Sequence, residues 1–170
     1  MKEHEANIDV RVGVITVSTS RWEKFGEVMG VENIPGEDKS GRILAEELNC
    51  VDYRLVPDDR SKIITAILDM LNNNIDVIVT TGGTGISPKD VTIEAAKMVV
   101  EKEMEGFGEL FRLLSYKEIG EAAMLTRAFA GISRNKVIFC LPGSENAVRL
   151  GIKLIKPQLK HIVSHARGLR

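Results

Sequence analysis

The stretch from Asp76 to Asp90, Asp-Val-Ile-Val-Thr-Thr-Gly-Gly-Thr-Gly-Ile-Ser-Pro-Lys-Asp, restricts the folds open to this chain more than any other. It opens with a short β-branched apolar run, the pattern of a strand buried on both faces. Gly82, Gly83 and Gly85 then break the run, and Pro88-Lys89-Asp90 turns it towards a helical pattern. Backbone without Cβ atoms can approach a ligand closely and adopt φ > 0, so that successive N–H groups converge. The hydroxyls of Thr80, Thr81 and Thr84 add donors. A cradle of this kind suits an anionic or heteroaromatic ligand, beyond the carboxyl end of a strand in a parallel α/β sheet. A tight strand-to-helix turn that binds nothing is the alternative reading.

Two familiar glycine loops are excluded. A P-loop requires Lys-Ser/Thr after its last glycine, and Ile86-Ser87 stand there instead. In the dinucleotide fingerprint the third glycine would fall at Pro88.

The rest of the chain supplies the partners of that strand. Residues 1–9 read as a polar tail and residues 10–17 as a first buried strand ending at Ser18-Thr19-Ser20-Arg21. Residues 22–38 hold three glycines, a proline and little periodicity, the pattern of a long functional or interface loop, with a mobile, unstructured segment as the alternative reading. A helix with Ile43, Leu44 and Leu48 inward follows Asp38-Lys39-Ser40-Gly41. Residues 51–56 predict a second strand, closed by Pro57-Asp58-Asp59-Arg60. Ser61 reads as the N-cap of a helix whose face is Ile63, Ile64, Ile67, Leu68 and Leu71. Beyond the glycine loop, helical patterns cover 92–103, 110–116 and 119–129, with a kinked connection at 105–109. A strand at 136–141 breaks at Pro142-Gly143-Ser144, and helical patterns run over 145–155 and 157–165. Strand–helix alternation at these spacings predicts a three-layer α/β/α fold: a mostly parallel central sheet with helices on both faces.

Composition narrows the function classes. A formal net charge of -1 argues against a nucleic-acid partner. No apolar run approaches the roughly 20 residues that span a bilayer, so no membrane partner is expected. No signal peptide is visible. Cys50 and Cys140 lack metal-ligand spacing and read as reduced thiols of a cytoplasmic protein. His161 and His165 could share a helix face, but without a third ligand they read as surface residues.

Polar or glycine-rich loops therefore end several strands along one edge of the sheet. Asp58 and Asp90 sit just past such ends, where helices begin. Helix capping, worth about 1 kcal/mol, is the plain reading of each. Two acids meeting beside an anion cradle would instead require a divalent cation, the arrangement of metal-assisted phosphate chemistry.

Four ordered motifs carry a family resemblance: Thr80-Thr81-Gly82-Gly83-Thr84-Gly85, Lys89-Asp90-Val91-Thr92, Glu105-Gly106-Phe107-Gly108-Glu109 and Leu141-Pro142-Gly143-Ser144. Together they resemble the MoaB/MogA family of molybdenum-cofactor biosynthesis, over residues 10–162. Val17-Ser18-Thr19-Ser20-Arg21, Asp38-Lys39-Ser40-Gly41 and Phe111-Arg112 with Ser115 are similar to the MoaB branch in particular. Matching domains occur in gephyrin and in plant molybdenum-insertion proteins. The resemblance makes residues 10–170 a single molybdopterin-binding domain.

It implies a molybdopterin adenylyltransferase that uses ATP and Mg²⁺ to attach AMP to molybdopterin, releasing pyrophosphate, in molybdenum or tungsten cofactor synthesis. The family's catalytic aspartates match Asp58 and Asp90, with Asp59 as the alternative acid to Asp58, and the same two residues are the expected holders of Mg²⁺ on the triphosphate. Its pterin and nucleotide contacts match Ser18, Thr81, Gly82, Gly83, Thr84, Gly85, Ser115, Pro142, Gly143 and Ser144. Where family members carry Asp after the first strand's serine, this chain has Thr19, shorter and neutral. Lys89 and Arg21 are further positive charges for phosphates, or solvated surface residues. The family habit implies a homo-oligomer, with a hexamer favoured over a trimer, and a downstream metal-insertion protein as partner. Some members of the branch bind without evident adenylylation, so a non-catalytic molybdopterin-holding or scaffold protein is the alternative.

The chemistry agrees with the residue types. A phosphomonoester's second pKa of about 6 leaves molybdopterin's phosphate largely ionised at pH 7. It can attack the α-phosphate of ATP without a dedicated base, so in-line positioning and charge neutralisation suffice. Aspartates and glycines, rather than a histidine or cysteine nucleophile, are what such a site needs.

Overall fold

The computed structural model describes residues 8–169. In chain order the regular elements are β1 (Val12–Val17), α1 (Thr19–Phe25), β2 (Val28–Met29), α2 (Lys39–Glu47), β3 (Asp52–Val56), α3 (Arg60–Asn72) and β4 (Val77–Thr81). They continue with α4 (Thr92–Val99), β5 (Lys102–Glu103), α5 (Glu105–Ile119), β6 (Phe129–Ser133), β7 (Lys136–Leu141), α6 (Glu145–Ile155) and α7 (Leu159–Ala166). The strands form one sheet in the order β2-β3-β1-β4-β7-β6-β5. β3, β1, β4 and β7 are parallel; β2, β6 and β5 pair antiparallel at the two sides.

Strand alternation sends side chains into two cores. Val14, Val79 and Phe139 face α2, α5, α6 and α7. Ile15, Ile78 and Ile138 face α3 and α4. The result is the expected three-layer α/β/α arrangement. Both strand faces are covered, which is why the parallel strands read as unbroken apolar runs. Ile67 of α3 and Leu44 of α2 are fully buried, each contributing about 1.5–3 kcal/mol of transfer free energy.

The local structure departs from expectation in several places. The stretch 22–38 is ordered: α1, capped by Ser18, runs into it, and β2 pairs with β3 before a 3₁₀ turn at Val31–Asn33. Trp22 packs against the core, and tertiary burial supplies what periodicity did not signal. Asp59, not Ser61, caps α3, accepting from the Lys62 N–H at 2.9 Å. The helix expected over 92–103 ends at Val99, because Lys102 and Glu103 pair with β6. The kink expected at 105–109 is absent; Gly106 and Gly108 lie within continuous α5. The helix expected over 119–129 is a 3₁₀ segment, Gly120–Leu125, followed by strand β6. The tail expected over 1–9 lies outside the described residues as far as residue 7, whereas Ile8 is buried in the core. Among the described residues no helix is long and apolar enough to cross a membrane.

Candidate functional site

Parallel pairing lines up the carboxyl ends of β3, β1, β4 and β7, and glycine lets their loops touch. Gly82 has φ +100°, and a Cβ there would stand 2.3 Å from the Val17 carbonyl oxygen. A Cβ on Gly143 would stand 3.4 Å from Gly82 Cα. Three bonds fasten this seam: Gly82 N–H to Leu141 O at 3.0 Å, Thr81 Oγ1 to Pro142 O at 3.1 Å, and Ser40 Oγ to Gly143 O at 2.8 Å. Ser18 caps α1 and donates its N–H to Val56 O at 2.9 Å. Ser144 caps α6, accepting from the Ala147 N–H at 3.1 Å.

The glycine loop is fastened by its carbonyls. Thr92 donates through Oγ1 to Gly82 O at 2.9 Å and through its N–H to Gly83 O at 3.1 Å. Arg127 donates through its N–H to Thr84 O at 3.2 Å and through Nε to Gly85 O at 3.0 Å. Among the described residues no protein group accepts from the N–H groups of Gly83, Thr84, Gly85 or Ile86. Carbonyls held by the protein beside amides that no protein group accepts from are the pattern an anion-binding concavity requires.

Both candidate carboxylates abut this loop. A Cβ on Gly83 would lie 3.2 Å from Asp58 Oδ1, and one on Gly85 would lie 2.7 Å from Asp90 Oδ2. Asp58 Oδ2 accepts from Thr19 Oγ1 at 2.7 Å and from the Thr19 N–H at 3.2 Å. Asp90 Oδ2 accepts from the Ser87 N–H at 3.0 Å. Neither residue is a helix cap: Asp59 caps α3, and the N-cap of α4 is Val91. The capping reading of Asp58 and Asp90 therefore gives way. In each carboxylate Oδ1 makes no protein hydrogen bond among the described residues. Each carboxylate thus keeps an open oxygen of the kind Mg²⁺ takes, an ion that binds through one or two carboxylates and completes its shell with water and phosphate. Among the described residues no group of three or more His, Cys, Asp or Glu forms an all-protein cage.

Other candidates are placed differently. Thr80 is buried on the opposite strand face beside Cys140, where it cannot donate to a ligand in the loop. Burial pushes the Cys140 thiol up to about 12. Thr81 spends its hydroxyl proton on Pro142 and acts as a tie between loops. Ser115 is buried on α5 and, among the described residues, shares no hydrogen bond with the loop. Arg21 Nη2 donates to Glu37 O at 3.4 Å, and Lys89 is exposed.

Sequence reasoning missed the supports. Arg127 pairs with Glu94 of α4, which holds the Glu94 carboxyl below the ordinary glutamate range. Asp38 is fully buried at the start of α2, where its carboxylate accepts from Thr16 Oγ1 at 2.7 Å, Tyr53 Oη at 2.5 Å and the Gly41 N–H at 3.0 Å. Burial and this carboxylate push the Tyr53 phenol up. The network fixes the helix start from which Ser40 reaches Gly143. Its sequence signal was Asp38-Lys39-Ser40-Gly41, which resembles a cap followed by a first turn.

A family model described as a probable molybdopterin binding domain matches residues 13–161. A probable molybdopterin adenylyltransferase of Methanocaldococcus jannaschii is 43% identical over 167 residues, covering 96% of this chain and 98% of that one. A molybdopterin adenylyltransferase of Pyrococcus furiosus is 45% identical, covering 98% of each chain. The crystal structure of the tungsten cofactor synthesizing protein MoaB from Pyrococcus furiosus superposes with a TM-score of 0.80 at 43% identity, covering 93% of this chain and 97% of that one.

Proposed function

This chain belongs to the MoaB/MogA family of molybdopterin-binding proteins, and we propose that it is a molybdopterin adenylyltransferase, joining AMP from ATP to molybdopterin's terminal phosphate. The observation that carries the reading is the loop at 83–86, with four unpartnered N–H groups, set against both Asp58 and Asp90.

The ionised phosphate oxygen of molybdopterin attacks the α-phosphorus of ATP. A P–O bond forms there, the bond to the bridging oxygen breaks, and pyrophosphate leaves with the electron pair. The N–H groups of Gly83, Thr84, Gly85 and Ile86 bind phosphate oxygens and are already oriented before reaction. Losing one preorganised donor of this kind typically costs roughly 10²–10³ in kcat. Gly143 packs against Gly82, and Ser144 and Ser18 cap the helices that follow β7 and β1 at the same edge of the sheet. Asp58 and Asp90 would hold Mg²⁺ through their open oxygens. When bound there, the ion supplies charge neutralisation on the triphosphate.

The reading includes a homo-oligomer, hexamer before trimer, supported by Leu110, Leu113, Ile119 and Met124, apolar residues exposed on α5 and the turn after it. It includes a cytoplasmic setting, supported by two free thiols, Cys50 and Cys140. It also includes a downstream metal-insertion protein as partner.

The test uses ATP labelled at the α-phosphate, purified molybdopterin and the purified chain, with and without Mg²⁺. Label on molybdopterin, equimolar pyrophosphate and loss of both on chelation are expected. Tight molybdopterin binding with no ATP consumed would leave a holding protein and overturn the transferase.

A further inference from the structure

We infer that Arg127 is the positioning residue of the glycine loop: it grips the carbonyls of Thr84, Gly85 and Asp90 from behind, so that the Gly85 and Ile86 N–H groups stay turned towards the ligand. In a planar trans peptide the C=O of one residue and the N–H of the next point in opposite directions. Fixing Gly82 O and Gly83 O therefore aims the N–H groups of Gly83 and Thr84, and that half of the loop is held by Thr92. Fixing Thr84 O and Gly85 O aims the N–H groups of Gly85 and Ile86, and that half is held by Arg127. The same guanidinium reaches the far end of the loop, donating from Nη2 to Asp90 O at 3.2 Å. That contact ties the candidate acid to the cradle it faces.

Arg127 is in turn held by Glu94, which accepts from Nη1 and, at 3.3 Å, from Nη2. Thr92 and Glu94 both belong to α4, so one helix governs both halves of the loop. The partner carboxylate also neutralises the guanidinium, leaving Arg127 a source of directed donors rather than a free cation for phosphate. Lysine cannot replace it: one ammonium has no planar fork with which to serve Gly85, Asp90 and Glu94 at fixed angles.

This inference rests on the proposed function only for its kinetic arm. The first measurement is ¹⁵N relaxation of the loop amides in the unliganded wild-type chain and in Arg127→Gln. Order parameters near about 0.85 are expected throughout the wild-type loop, falling below about 0.6 at Ile86 in the variant, whose side chain no longer holds Gly85 O. Gly83 and Thr84, held by Thr92, and Gly85, aimed through Thr84 O by the Arg127 main-chain N–H that the variant keeps, should stay near wild-type values. An unchanged value at Ile86, or equal loosening at all four amides, would overturn the inference. Should Arg127→Gln fail to fold, Arg127→Lys and Glu94→Gln are read by the same pattern.

The kinetic arm expects kcat for AMP transfer to fall about tenfold or more in Arg127→Gln, with KM for ATP moving less than about threefold. Arg127→Lys should not restore it; full rescue by lysine would reduce the role to charge and overturn the inference. A wild-type chain that transfers no AMP would sink the proposed function, and the relaxation pattern would still decide the role of Arg127.

Discussion

Asp58 and Thr19 hold one another through three hydrogen bonds: the Thr19 hydroxyl and N–H donate to Asp58 Oδ2, and the Asp58 N–H donates back to Thr19 Oγ1 at 3.0 Å. This clasp joins the ends of β1 and β3 and leaves Asp58 Oδ1 against Gly83. Thr19→Val removes the hydroxyl that serves as donor and acceptor at once. A loss of about 1–3 kcal/mol is expected from the unpaired groups, together with slower AMP transfer as the carboxylate loses its orientation. Denaturant melts and turnover measured on the same preparation check both.

Neighbouring acids have separate duties. Asp59→Ala removes the cap of α3 and should cost about 1 kcal/mol in a thermal melt. AMP transfer at a temperature well below the transition should be unchanged. A large loss of transfer would move the acting acid from Asp58 to Asp59.

Gly82 and Gly106 make a contrasting pair. At Gly82 a methyl group meets the Val17 carbonyl oxygen at 2.3 Å with φ at +100°, so Gly82→Ala must force β1 and β4 apart at their ends. Destabilisation of several kcal/mol, or loss of folded protein, is expected, in the upper range for single substitutions of roughly 4–5 kcal/mol. Gly106 lies in α5 with nothing within 4 Å of an added Cβ. Gly106→Ala should stabilise by roughly 0.5–1 kcal/mol through helix propensity. Urea melts of both variants give the comparison.

The Glu94–Arg127 pair predicts a pH dependence with a definite sign. The arginine holds the Glu94 carboxyl below its ordinary value in the folded state. Its contribution to stability is therefore present above the unfolded glutamate pKa of about 4.3 and is lost as pH falls through the lower folded value. The Glu94 side chain is 37% exposed, so solvent screening keeps the effect under about 1 kcal/mol. The stability difference between wild type and Glu94→Gln should be flat above pH ~5.5 and shrink in acid. A difference that grows on acidification would contradict the pairing.

Much of the fold was legible because parallel strands covered on both faces leave unbroken apolar runs, as in Val77–Thr81 and Lys136–Leu141. The runs end where polar loops begin, and this located Asp58 and Asp90 at one edge of the sheet. Strand β6 was not legible. Phe129–Ser133 contains Ala130 and Gly131, and its strand character comes from pairing with β7. At Gly131 a Cβ would collide with Val100, a constraint set by a segment about 30 residues upstream. That Asp59 rather than Ser61 caps α3 was likewise not legible, since either residue type can cap and Thr19, distant in sequence, takes up the neighbouring Asp58. Arg127 carried no local signal at all. Its partners, Thr84, Gly85, Asp90 and Glu94, lie on the glycine loop and α4, and only the folded chain brings them together.

The most direct test is single-turnover AMP transfer at saturating ATP, Mg²⁺ and molybdopterin, comparing wild type with Asp58→Asn and Asp90→Asn. Each variant should keep its melting temperature within a few degrees and still bind molybdopterin. Each should form adenylylated product roughly 10²-fold or more slowly than wild type. Near-normal rates in both variants would contradict the assignment of the two carboxylates to the reaction.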